Sequence, residues 1–473
     1  MGDIIIHFFR PTFYIADIFE GFTKENISYV SDLYVKITGR VLFRRSMGSV
    51  CFLDIQDSSG RIQVYVNKSI VTDGIYSIVK SLNIGDIIGV GGIIRLTKVG
   101  EVTLFADYIE CITKTLIQFP DKWNKLIRKD LCHKKRYLDL IVNTASKDKF
   151  LRRIRLVTLI RGFFLTRKFL EVETPMLHPI PGGASARPFI TYHNTLKSEF
   201  YLRVAPELYL KKLIVGGFDR VFEINRNFRN EGISYKHNPE FTMLEFYQSY
   251  STYEDLMVVT EELMVELVFG LFNCYTICYK DFTINFKRPF NIMSFNESII
   301  KYNSRLTLDR LCCREYLIEV IKENTNGVVD ISLLQATTLY DLQVLLFDLT
   351  VEKNLIQPTF IVEYPIEVSP LAKRNITKPT LADRFELFIG GFEIANGFSE
   401  LTDPIEQKIR FEQQVKNKSS NAVEDAYSFC DYSYIECLEY GMPPTAGEGI
   451  GIDRLAMLFT NSTTIKDVIL FPV

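Results

Sequence analysis

The amino-acid sequence predicts an α+β protein in which a small N-terminal barrel of five β-strands precedes a larger domain. That domain is predicted to have an antiparallel sheet flanked by helices, with a helical insertion. Three observations predict this class: short segments of alternating polarity over 30 to 115, an apolar–polar–apolar pattern over 219 to 247, and helical periodicity over 149 to 167 and most of 250 to 360. A length of 473 residues also exceeds what one core commonly supports.

The barrel is predicted from five short segments separated by glycine-containing turns. They begin at Val35, Val50, Gly60, Ile87 and Glu101. Residues 30 to 140 carry 17 Lys and Arg against 11 Asp and Glu, in a chain whose net charge is −2. A five-stranded barrel with a basic face that bears aromatic residues describes an OB-fold, which stacks unpaired bases and follows the phosphate backbone. We therefore predict that this domain binds a nucleic acid.

The domain boundaries follow from changes in pattern along the chain. Residues 1–29 form a lead-in without an interpretable pattern, 30–115 form the OB-fold, and 116–147 form a basic linker. The main domain covers 148–473, and a helical insertion is expected at about 295–355.

Composition limits where the protein is expected to work. No apolar run free of charges reaches the length needed to cross a bilayer. The first residues hold no basic leader and no small-residue cleavage site. The nine cysteines form no CxxC pair, which fits a reducing compartment and speaks against a structural zinc site. We therefore expect a cytoplasmic protein with no membrane partner.

The segment from 219 to 247 concentrates charges that can perform chemistry. Arg229 and Glu231 precede its polar loop, and Lys236 and His237 follow on the far limb. If Arg229 and Glu231 share one strand face, the guanidinium can grip a phosphate or carboxylate while Glu231 accepts from an amine. An isolated Arg-x-Glu is most commonly a surface ion pair. The whole run of about a dozen ordered positions is a far more specific signal.

A second pair of carboxylates follows from a hairpin further along the chain. If Gly390-Gly391 forms a two-residue turn, Phe388 pairs with Glu393, and Glu386 lies on the same face as Glu393, one diagonal away. The neighbouring residues are too apolar for a solvent-exposed strand. Two converging carboxylates then need a cation, and oxygen ligands favour Mg²⁺ that bridges to phosphates.

These residues lie in runs that resemble the three motifs of class II aminoacyl-tRNA synthetases, most closely those of the lysyl-tRNA synthetase family. Motif 1 corresponds to the run from Phe169 to Leu177, which includes Pro175, motif 2 to Phe228-Arg-Asn-Glu-Gly-Ile-Ser-Tyr-Lys-His-Asn-Pro-Glu-Phe241, and motif 3 to the run from Gly447 to Phe459, which includes Arg454. The resemblance runs from about residue 30 to the last residue. It implies a class II catalytic domain over 148–473. Its activity would be to activate L-lysine with ATP to lysyl-adenylate and transfer the lysine to the 3′ end of tRNA(Lys). It also implies Mg²⁺ as cofactor and a homodimer whose interface includes motif 1.

The resemblance implies a role in ATP binding for five residues. Phe241 and Arg454 would enclose the adenine, Glu231 would lie near its exocyclic amine, and His237 would reach the γ-phosphate. Arg229 would bridge the lysine carboxylate and the α-phosphate and would be the catalytic residue. Mg²⁺ would bind to Glu386 and Glu393.

The resemblance also implies a pocket for the amino acid. A buried glutamate that pairs with the ε-ammonium can reject uncharged or shorter side chains, because leaving it unpaired costs several kcal/mol. The lysine-binding residues would be Gly183, Glu207, Arg229, Glu245, Tyr247, Asn396 and Glu400.

Four residues of the barrel are implied to read the anticodon. Phe52 would stack on the central base, while Arg44, Gln63 and Glu101 would form hydrogen bonds to base edges. Strand alternation alone leaves open whether Phe52 points into the barrel core.

Three other interpretations remain open at this point. An aspartyl- or asparaginyl-type synthetase would share the barrel and the motifs but should carry a cation in place of Glu400. A lysyltransferase of elongation factor P would share the lysine pocket but lack the barrel. A catalytically inactive RNA-binding relative predicts the loss of Arg229, Glu386, Glu393 or Arg454, all of which are present.

Overall fold

The computed structural model describes residues 9–21, 34–117, 129–184, 186–325, 338–420 and 430–473. They belong to two compact units, Met1–Lys125 and Leu126–Val473. Most of the predicted lead-in lies outside the described residues. The described part of the predicted linker beyond residue 128 falls in the larger unit. No helix within the described ranges is long and apolar enough to cross a membrane.

The N-terminal unit is a closed five-stranded barrel, as predicted. Its strands are β1 (Tyr34–Met47), β2 (Val50–Gln56), β3 (Arg61–Asn67), β4 (Ile87–Leu96) and β5 (Val102–Thr113). The order around the barrel is β1-β2-β3-β5-β4, and antiparallel pairing of β1 with β4 closes it. Side chains alternate between the apolar interior and the outer face, as the pattern of the sequence requires.

Two helices accompany the barrel. Helix α1 (Ile15–Gly21) buries Ile15 and Ile18 in the barrel core. Helix α2 (Asp73–Ser81), which the sequence analysis did not predict, follows β3 and is capped at its start by the side chain of Thr72. Strand β1 contains a bulge between Val41 and Phe43, so one residue of β1 has no partner in β2.

The larger unit is built on an eight-stranded sheet. Its strands are β6 (Leu170–Glu171), β10 (Arg220–Phe228), β11 (Glu240–Ser249), β14 (Asn291–Ser294), β15 (Thr359–Val362), β16 (Arg384–Ile389), β17 (Phe392–Ser399) and β18 (Thr445–Gly451). The order across the sheet is β14-β15-β16-β17-β18-β11-β10-β6. The pairs β14/β15 and β10/β6 are parallel, and the pairs between β15 and β10 are antiparallel.

Two smaller sheets complete the β-structure. Their strands are β7 (Leu177–His178), β8 (Ile190–His193) and β9 (Ser198–Leu202) in one, and β12 (Thr276–Tyr279) and β13 (Phe282–Asn285) in the other. Strands β12 to β14 occupy a segment that the sequence analysis predicted to be mostly helical. That prediction was wrong there because each strand has only four residues, too few for period-two alternation to stand out.

The helices of the larger unit flank the sheet and build the insertion. They are α3 (Lys129–Lys134), α4 (Arg136–Val142), α5 (Thr144–Thr166), α6 (Glu207–Val215), α7 (Tyr253–Phe272), α8 (Phe295–Tyr302), α9 (Leu308–Leu311), α10 (Arg314–Asn324), α11 (Leu339–Thr350), α12 (Pro404–Ser420), α13 (Tyr432–Glu439) and α14 (Ile452–Phe459). Short 3₁₀ turns occur at Glu352–Asn354, Ile366–Val368 and Ile465–Asp467. Helices α8 to α11 lie within the predicted insertion and share one apolar cluster.

Helices α5, α7 and α14 cover one face of the large sheet, and aromatic side chains fill the space between them. The ring of Phe164 on α5 packs 5.2 Å from Phe222 of β10 and 4.7 Å from Phe246 of β11, measured between ring centroids. All three residues are fully buried. Because successive side chains of a strand point to opposite faces, the neighbours of Phe246 on β11 point to the other face, which stays open.

One carboxyl group lies within this apolar layer. The side chain of Glu448 on β18 is buried, and both of its oxygens lie within 2.8 Å of the hydroxyl of Thr260 on α7. That hydroxyl has one proton and also lies 2.7 Å from the carbonyl of Leu256. Neutral Glu448 can donate to Thr260 while Thr260 donates to Leu256. Burial raises the pKa of Glu448 to about 8.

Glu448 therefore makes the fold sensitive to alkaline pH. A carboxyl group whose pKa is raised on folding contributes stability that is complete below its ordinary pKa and is lost as pH rises towards about 8. We expect Glu448→Leu to raise the melting temperature by several degrees at pH 9 and to change it least near pH 5. Differential scanning calorimetry between pH 5 and 9 measures this. An equal gain at every pH would show that Glu448 is not protonated in the fold.

A buried ion pair connects motif 1 to motif 2. Arg203 donates from Nη1 to Glu223 on β10 over 2.7 Å, and Thr174 donates to the other oxygen of Glu223 over 2.7 Å. Glu223 lies directly across from Glu245 on β11. The network fixes Thr174 of motif 1 against β10, the strand that leads into motif 2.

Candidate functional site

The open face of the large sheet forms the floor of a cavity of about 660 Å³. Strands β11, β17 and β18 provide the floor, the loop between β10 and β11 covers one end, and the first turn of α6 closes the other. Predicted site residues from the motif 2 and motif 3 regions and from the runs around Gly183 and Glu393 line it: Gly183, Glu207, Arg229, Glu231, His237, Phe241, Glu245, Tyr247, Glu393, Asn396 and Arg454. Glu386 and Glu400 lie behind this lining. Sites predicted from stretches far apart in the sequence therefore meet in one cavity.

Arg229 lies near the start of motif 2, just beyond strand β10. The predicted geometry was wrong here, because β10 ends at Phe228 and Arg229 and Glu231 lie in the loop rather than on one strand face. The guanidinium of Arg229 instead lies over the ring of Phe241, 5.0 Å from its centroid. Burial lowers the pKa of Arg229, against the influence of Glu231 and Glu393.

Several buried polar atoms in or next to the cavity lack a hydrogen-bond partner among the described residues. They include Nε of Arg229, Oε2 of Glu245 and Oδ1 of Asn238, whose residues line the cavity, and Oε1 of Glu400 next to Gly447. Buried polar groups are otherwise almost always paired, because an unpaired one costs about 1–3 kcal/mol. The unpaired guanidinium donor and the two unpaired carboxylate oxygens suit a ligand that carries one anionic and two cationic groups.

Glu400 is buried next to Gly447, which lines the cavity. Its other oxygen, Oε2, is in close contact with the ammonium of Lys211 on α6. Tyr247 on β11 and Glu400 approach each other across Gly447 of β18, where a Cβ atom would lie 2.2 Å from the Tyr247 ring and 2.5 Å from Oε1 of Glu400. Only glycine fits at Gly447. Burial raises the pKa of Glu400 to about 8, and Lys211 opposes that rise.

Gly183 and Glu207 lie together at the end of the cavity that α6 closes. Gly183 has a φ of +86°, and a Cβ at that position would lie 3.1 Å from the Cβ of Glu207. Glu207 is the first residue of α6, as predicted, and Lys211 donates to its Oε1 over 2.6 Å. Burial raises the pKa of Glu245, and Glu207 raises it further.

The predicted hairpin around Gly390-Gly391 is present, and Phe388 pairs with Glu393 as predicted. The structure adds a bulge between Leu387 and Phe388, so that Glu386 lies opposite Asn396. Each glutamate has an arginine partner. Glu386 is in close contact with Arg384 and accepts from Tyr364 over 2.7 Å, and Arg454 donates to Glu393 over 3.1 Å.

These two carboxylates fit a divalent cation held jointly with a nucleotide. Burial raises the pKa of Glu386, and neighbouring Glu393 adds to the rise; for Glu393 the opposing influence of Arg454 prevails and lowers its pKa. About 37% of the Glu393 side chain remains accessible. Among the described residues no group of three His, Cys, Asp or Glu side chains could hold a metal. Mg²⁺ characteristically takes one or two carboxylates and completes its shell with phosphates and water.

Side-chain contacts connect the motif 2 loop to other parts of the site. Lys236 donates to both oxygens of Glu352 over 2.8 Å. Nδ1 of His237 lies 2.9 Å from the hydroxyl of Ser234, and Nε2 lies 3.4 Å from Nη2 of Arg454. Burial lowers the pKa of His237, and the neighbouring cation of Arg454 lowers it further. His237 therefore presents a neutral ring beside Arg454.

Arg384 was not predicted as a site residue. It donates from Nε to Asn396 over 3.1 Å and also contacts Glu386. It therefore orients one residue predicted to bind lysine, Asn396, and one predicted to bind Mg²⁺, Glu386. The spacing Arg384-x-Glu386 repeats that of Arg229-x-Glu231, which is the sequence signal that could have identified it. Lys211 was also missed, because a lysine inside an amphipathic helix usually lies at the surface.

On the barrel, the outer face brings three of the four predicted anticodon residues together. Phe52 alternates with buried Cys51 and Leu53 and so faces outward, with the ring of Tyr65 5.4 Å away. Gln63 faces the same way and donates to Glu101 over 3.2 Å.

Arg44 does not lie on that face. The bulge in β1 shifts the register so that Arg45, rather than Arg44, lies opposite Phe52. Arg44 instead donates to the carbonyls of Lys80 and Leu82 over 2.7 and 2.8 Å, where it caps the end of α2. The structure therefore sets Arg45, and not Arg44, on the face that carries Phe52 and Gln63.

Comparison with known proteins agrees with both units. Residues 128–473 match the family of class II tRNA synthetases (D, K and N), and residues 35–112 match the OB-fold nucleic acid binding domain. The lysine–tRNA ligase of Legionella pneumophila (strain Lens) is 52% identical over 438 residues, which cover 93% of this chain and 87% of that protein. The lysine–tRNA ligase of Psychrobacter sp. (strain PRwf-1) is 47% identical over 471 residues, covering 98% and 90%. That of Acinetobacter baumannii (strain AYE) is 48% identical over 467 residues, also covering 98% and 90%.

Proposed function

We propose a residue-level account of catalysis that starts from the family of this chain, which belongs to the class II tRNA synthetases and, within them, to the lysine–tRNA ligases. Such an enzyme joins lysine to tRNA in two steps and consumes ATP. The cavity of the larger unit is the site of both steps in our proposal.

The unpaired atoms of Arg229, Glu245 and Glu400 carry this proposal. Lysine brings one carboxylate and two ammonium groups, which match the unpaired donor of Arg229 and the unpaired carboxylate oxygens of Glu245 and Glu400. The carboxylate binds to Arg229. The α-ammonium lies between Glu207 and Glu245, next to Gly183, and the ε-ammonium binds to Glu400 and the hydroxyl of Tyr247. Asn396, which is oriented by Arg384, lies between the sites of the two ammonium groups.

ATP occupies the other end of the cavity. Phe241 provides an aromatic face for the adenine, and Arg454, in the first turn of α14, covers it from the other side. Glu231 accepts from the exocyclic amine, and His237 meets the γ-phosphate. Arg229 then lies between the two substrates, with its unpaired Nε available for the α-phosphate or the lysine carboxylate.

The first step needs no general base, because a carboxylate is already a nucleophile. An oxygen of the lysine carboxylate forms a bond to the α-phosphorus of ATP, the bond from that phosphorus to the bridging oxygen breaks, and pyrophosphate leaves with its electron pair. Arg229 holds both reactants in line and balances the charge that accumulates at phosphorus.

Mg²⁺ is the expected cofactor of the first step. Glu386 and Glu393 would hold it together with phosphate oxygens of ATP, and the bound ion would neutralise charge on the pyrophosphate. Arg384 and Arg454 keep the two carboxylates in place.

The second step and the dimer are further parts of the proposal. The ribose hydroxyl at the 3′ end of the tRNA attacks the carbonyl of lysyl-adenylate and releases AMP. A homodimer would cover the apolar side chains that motif 1 and α5 expose: Ile154, Leu170 and Met176 are each more than half exposed.

The barrel supplies tRNA recognition in this proposal, and the β1 bulge gives it a sharp test. We expect Arg45→Ala to raise the KM for tRNA(Lys) about 10-fold, because Arg45 lies beside the stacking platform of Phe52. Arg44→Ala is the matched control and should affect the melting temperature of the barrel more than the KM. Aminoacylation at varied tRNA concentration measures both. If Arg44→Ala instead raised the KM for tRNA(Lys) more than Arg45→Ala did, the role in tRNA recognition would belong to Arg44.

Amino-acid-dependent exchange of pyrophosphate into ATP tests the activation step directly. The purified protein is incubated with each of the twenty amino acids in turn, without tRNA. We expect exchange with lysine alone. Exchange with aspartate or asparagine, or with none of the twenty, would overturn the proposed use of the cavity.

A further inference from the structure

The ammonium of Lys211 is enclosed by carboxylates. Its side chain is fully buried, 2.6 Å from Oε1 of Glu207 and in close contact with Oε2 of Glu400, with the ring of Phe398 5.3 Å away. A charged group is rarely placed inside a protein without a counter-charge. Lys211 therefore joins two carboxylates that both belong to the proposed lysine pocket.

The position of Lys211 is unusual for a pocket that must bind a cation. A resident ammonium competes with the substrate for the same carboxylates, unless it occupies the side of them that the substrate cannot reach. The structure meets this condition for Glu400: Oε2 faces Lys211, and Oε1 faces Gly447 and Tyr247 and has no hydrogen-bond partner among the described residues. Lys211 thus pairs with the oxygen of Glu400 that faces away from the proposed substrate site.

We propose that Lys211 is a positioning residue for amino-acid selection, which favours the anionic form of Glu400 and directs its free oxygen to the ε-ammonium of the substrate. This inference rests on the proposed function and deepens it. The pocket then contains one fixed cation and one exchangeable cation on opposite sides of one carboxylate. A substrate with an uncharged side chain is rejected because Oε1 of Glu400 then has no cationic partner, and only Lys211 remains paired with this carboxylate.

The surrounding groups agree with this role. Glu400 is approached by Lys211 and Glu207 from α6, by Tyr247 from β11 and by Tyr434 from α13. Burial and Glu207 raise the pKa of Glu400, while Lys211 is the largest influence that lowers it. Burial lowers the pKa of Lys211, but Glu207 and Glu400 outweigh it and raise the pKa above its ordinary value, so Lys211 stays charged. Without Lys211, Glu400 would take up a proton at a higher pH than it now does.

The test compares Lys211→Met with Lys212→Met. Lys212 is the next residue of the same helix, partly exposed, and donates to Ser433 outside the pocket. Pyrophosphate exchange is measured with lysine and with 6-hydroxynorleucine, in which an uncharged hydroxyl replaces the ε-ammonium. We expect Lys211→Met to lower kcat/KM for lysine at least 30-fold, to lower the preference for lysine over the analogue about 10-fold or more, and to leave the KM for ATP within 3-fold. Lys212→Met should behave as the unaltered protein does.

The pH profile gives a readout that a purely structural role would not move. For the unaltered protein, kcat/KM for lysine should rise with pH up to about 8, because Glu400 must be ionised to bind the ε-ammonium. In Lys211→Met that rise should shift to higher pH by about one unit or more. An unchanged profile would overturn the inference.

A double-mutant cycle covers the case in which Lys211→Met does not fold. If Lys211 acts through Glu400, its substitution in a Glu400→Gln background should change kcat/KM for lysine by less than about 3-fold, and the double variant should fold. The same loss in both backgrounds, or failure of the double variant to fold, would overturn the inference. If the unaltered protein showed no lysine-dependent exchange, the proposed function itself would be overturned. The variants of Lys211 test only the role of Lys211.

Discussion

Replacing Arg229 with alanine is expected to abolish nearly all lysine activation, with kcat/KM for lysine-dependent pyrophosphate exchange falling about 10³-fold or more. Arg229 is the one group that the proposal places against both reactants, so its loss removes alignment and charge balance together. The loss should appear mainly in kcat, because the guanidinium interacts most strongly as charge accumulates at the α-phosphorus.

The matched control for this variant is Arg226→Ala. Arg226 lies three residues earlier, on β10, where its exposed guanidinium donates to Glu240 over 3.3 Å. Such a surface pair contributes little, so the control should keep nearly full exchange and a nearly unchanged melting temperature. Substantial exchange by Arg229→Ala, within 10-fold of the control, would show that the arginine does not perform the step we propose.

Replacing Glu400 with glutamine is expected to remove selectivity rather than chemistry. The KM for lysine should rise about 10²-fold or more, because the ε-ammonium would lose its anionic partner inside the protein. The KM for ATP should stay within 3-fold. The preference for lysine over 6-hydroxynorleucine should collapse, which exchange assays with both amino acids would measure.

Glu448→Gln provides the control, because Glu448 is a buried carboxyl on the adjacent strand but points to the helix-covered face, where it meets Thr260. It should leave both KM values unchanged. If Glu400→Gln kept the selectivity of the unaltered protein, the ε-ammonium would have to bind elsewhere in the cavity.

Much of the fold and of the site could be predicted from the sequence. Period-two alternation revealed the five barrel strands, and the glycine pair at Gly390 fixed the turn that sets Phe388 opposite Glu393. The ordered run of motif 2 was specific enough to identify a family, and its chemistry then came with the resemblance. Long-range proximity followed from that resemblance and not from local patterns.

The face of the barrel on which Arg44 lies could not be predicted, because of a bulge. In β1 a single unpaired residue reverses the alternation, and Arg45 takes the place opposite Phe52 that Arg44 would hold in a regular strand. In β17 another bulge changes the register, so that Asn396 rather than Ala395 lies opposite Glu386. Neither bulge has a glycine or proline signal at the extra residue, so alternation could not locate them. Lys211 was not predicted as a site residue for a different reason, because its counter-charge Glu400 is distant in the sequence.

The contact at Gly447 has a consequence for how the specificity of this site can evolve. Any glycine codon is one base change from alanine, yet even that methyl group would overlap both Tyr247 and the free oxygen of Glu400. The first step away from glycine therefore damages the proposed site of the ε-ammonium before any new contact can form. A gradual change of substrate would have to begin at Tyr247 or Glu400, and a lineage that keeps both is held at Gly447 by purifying selection.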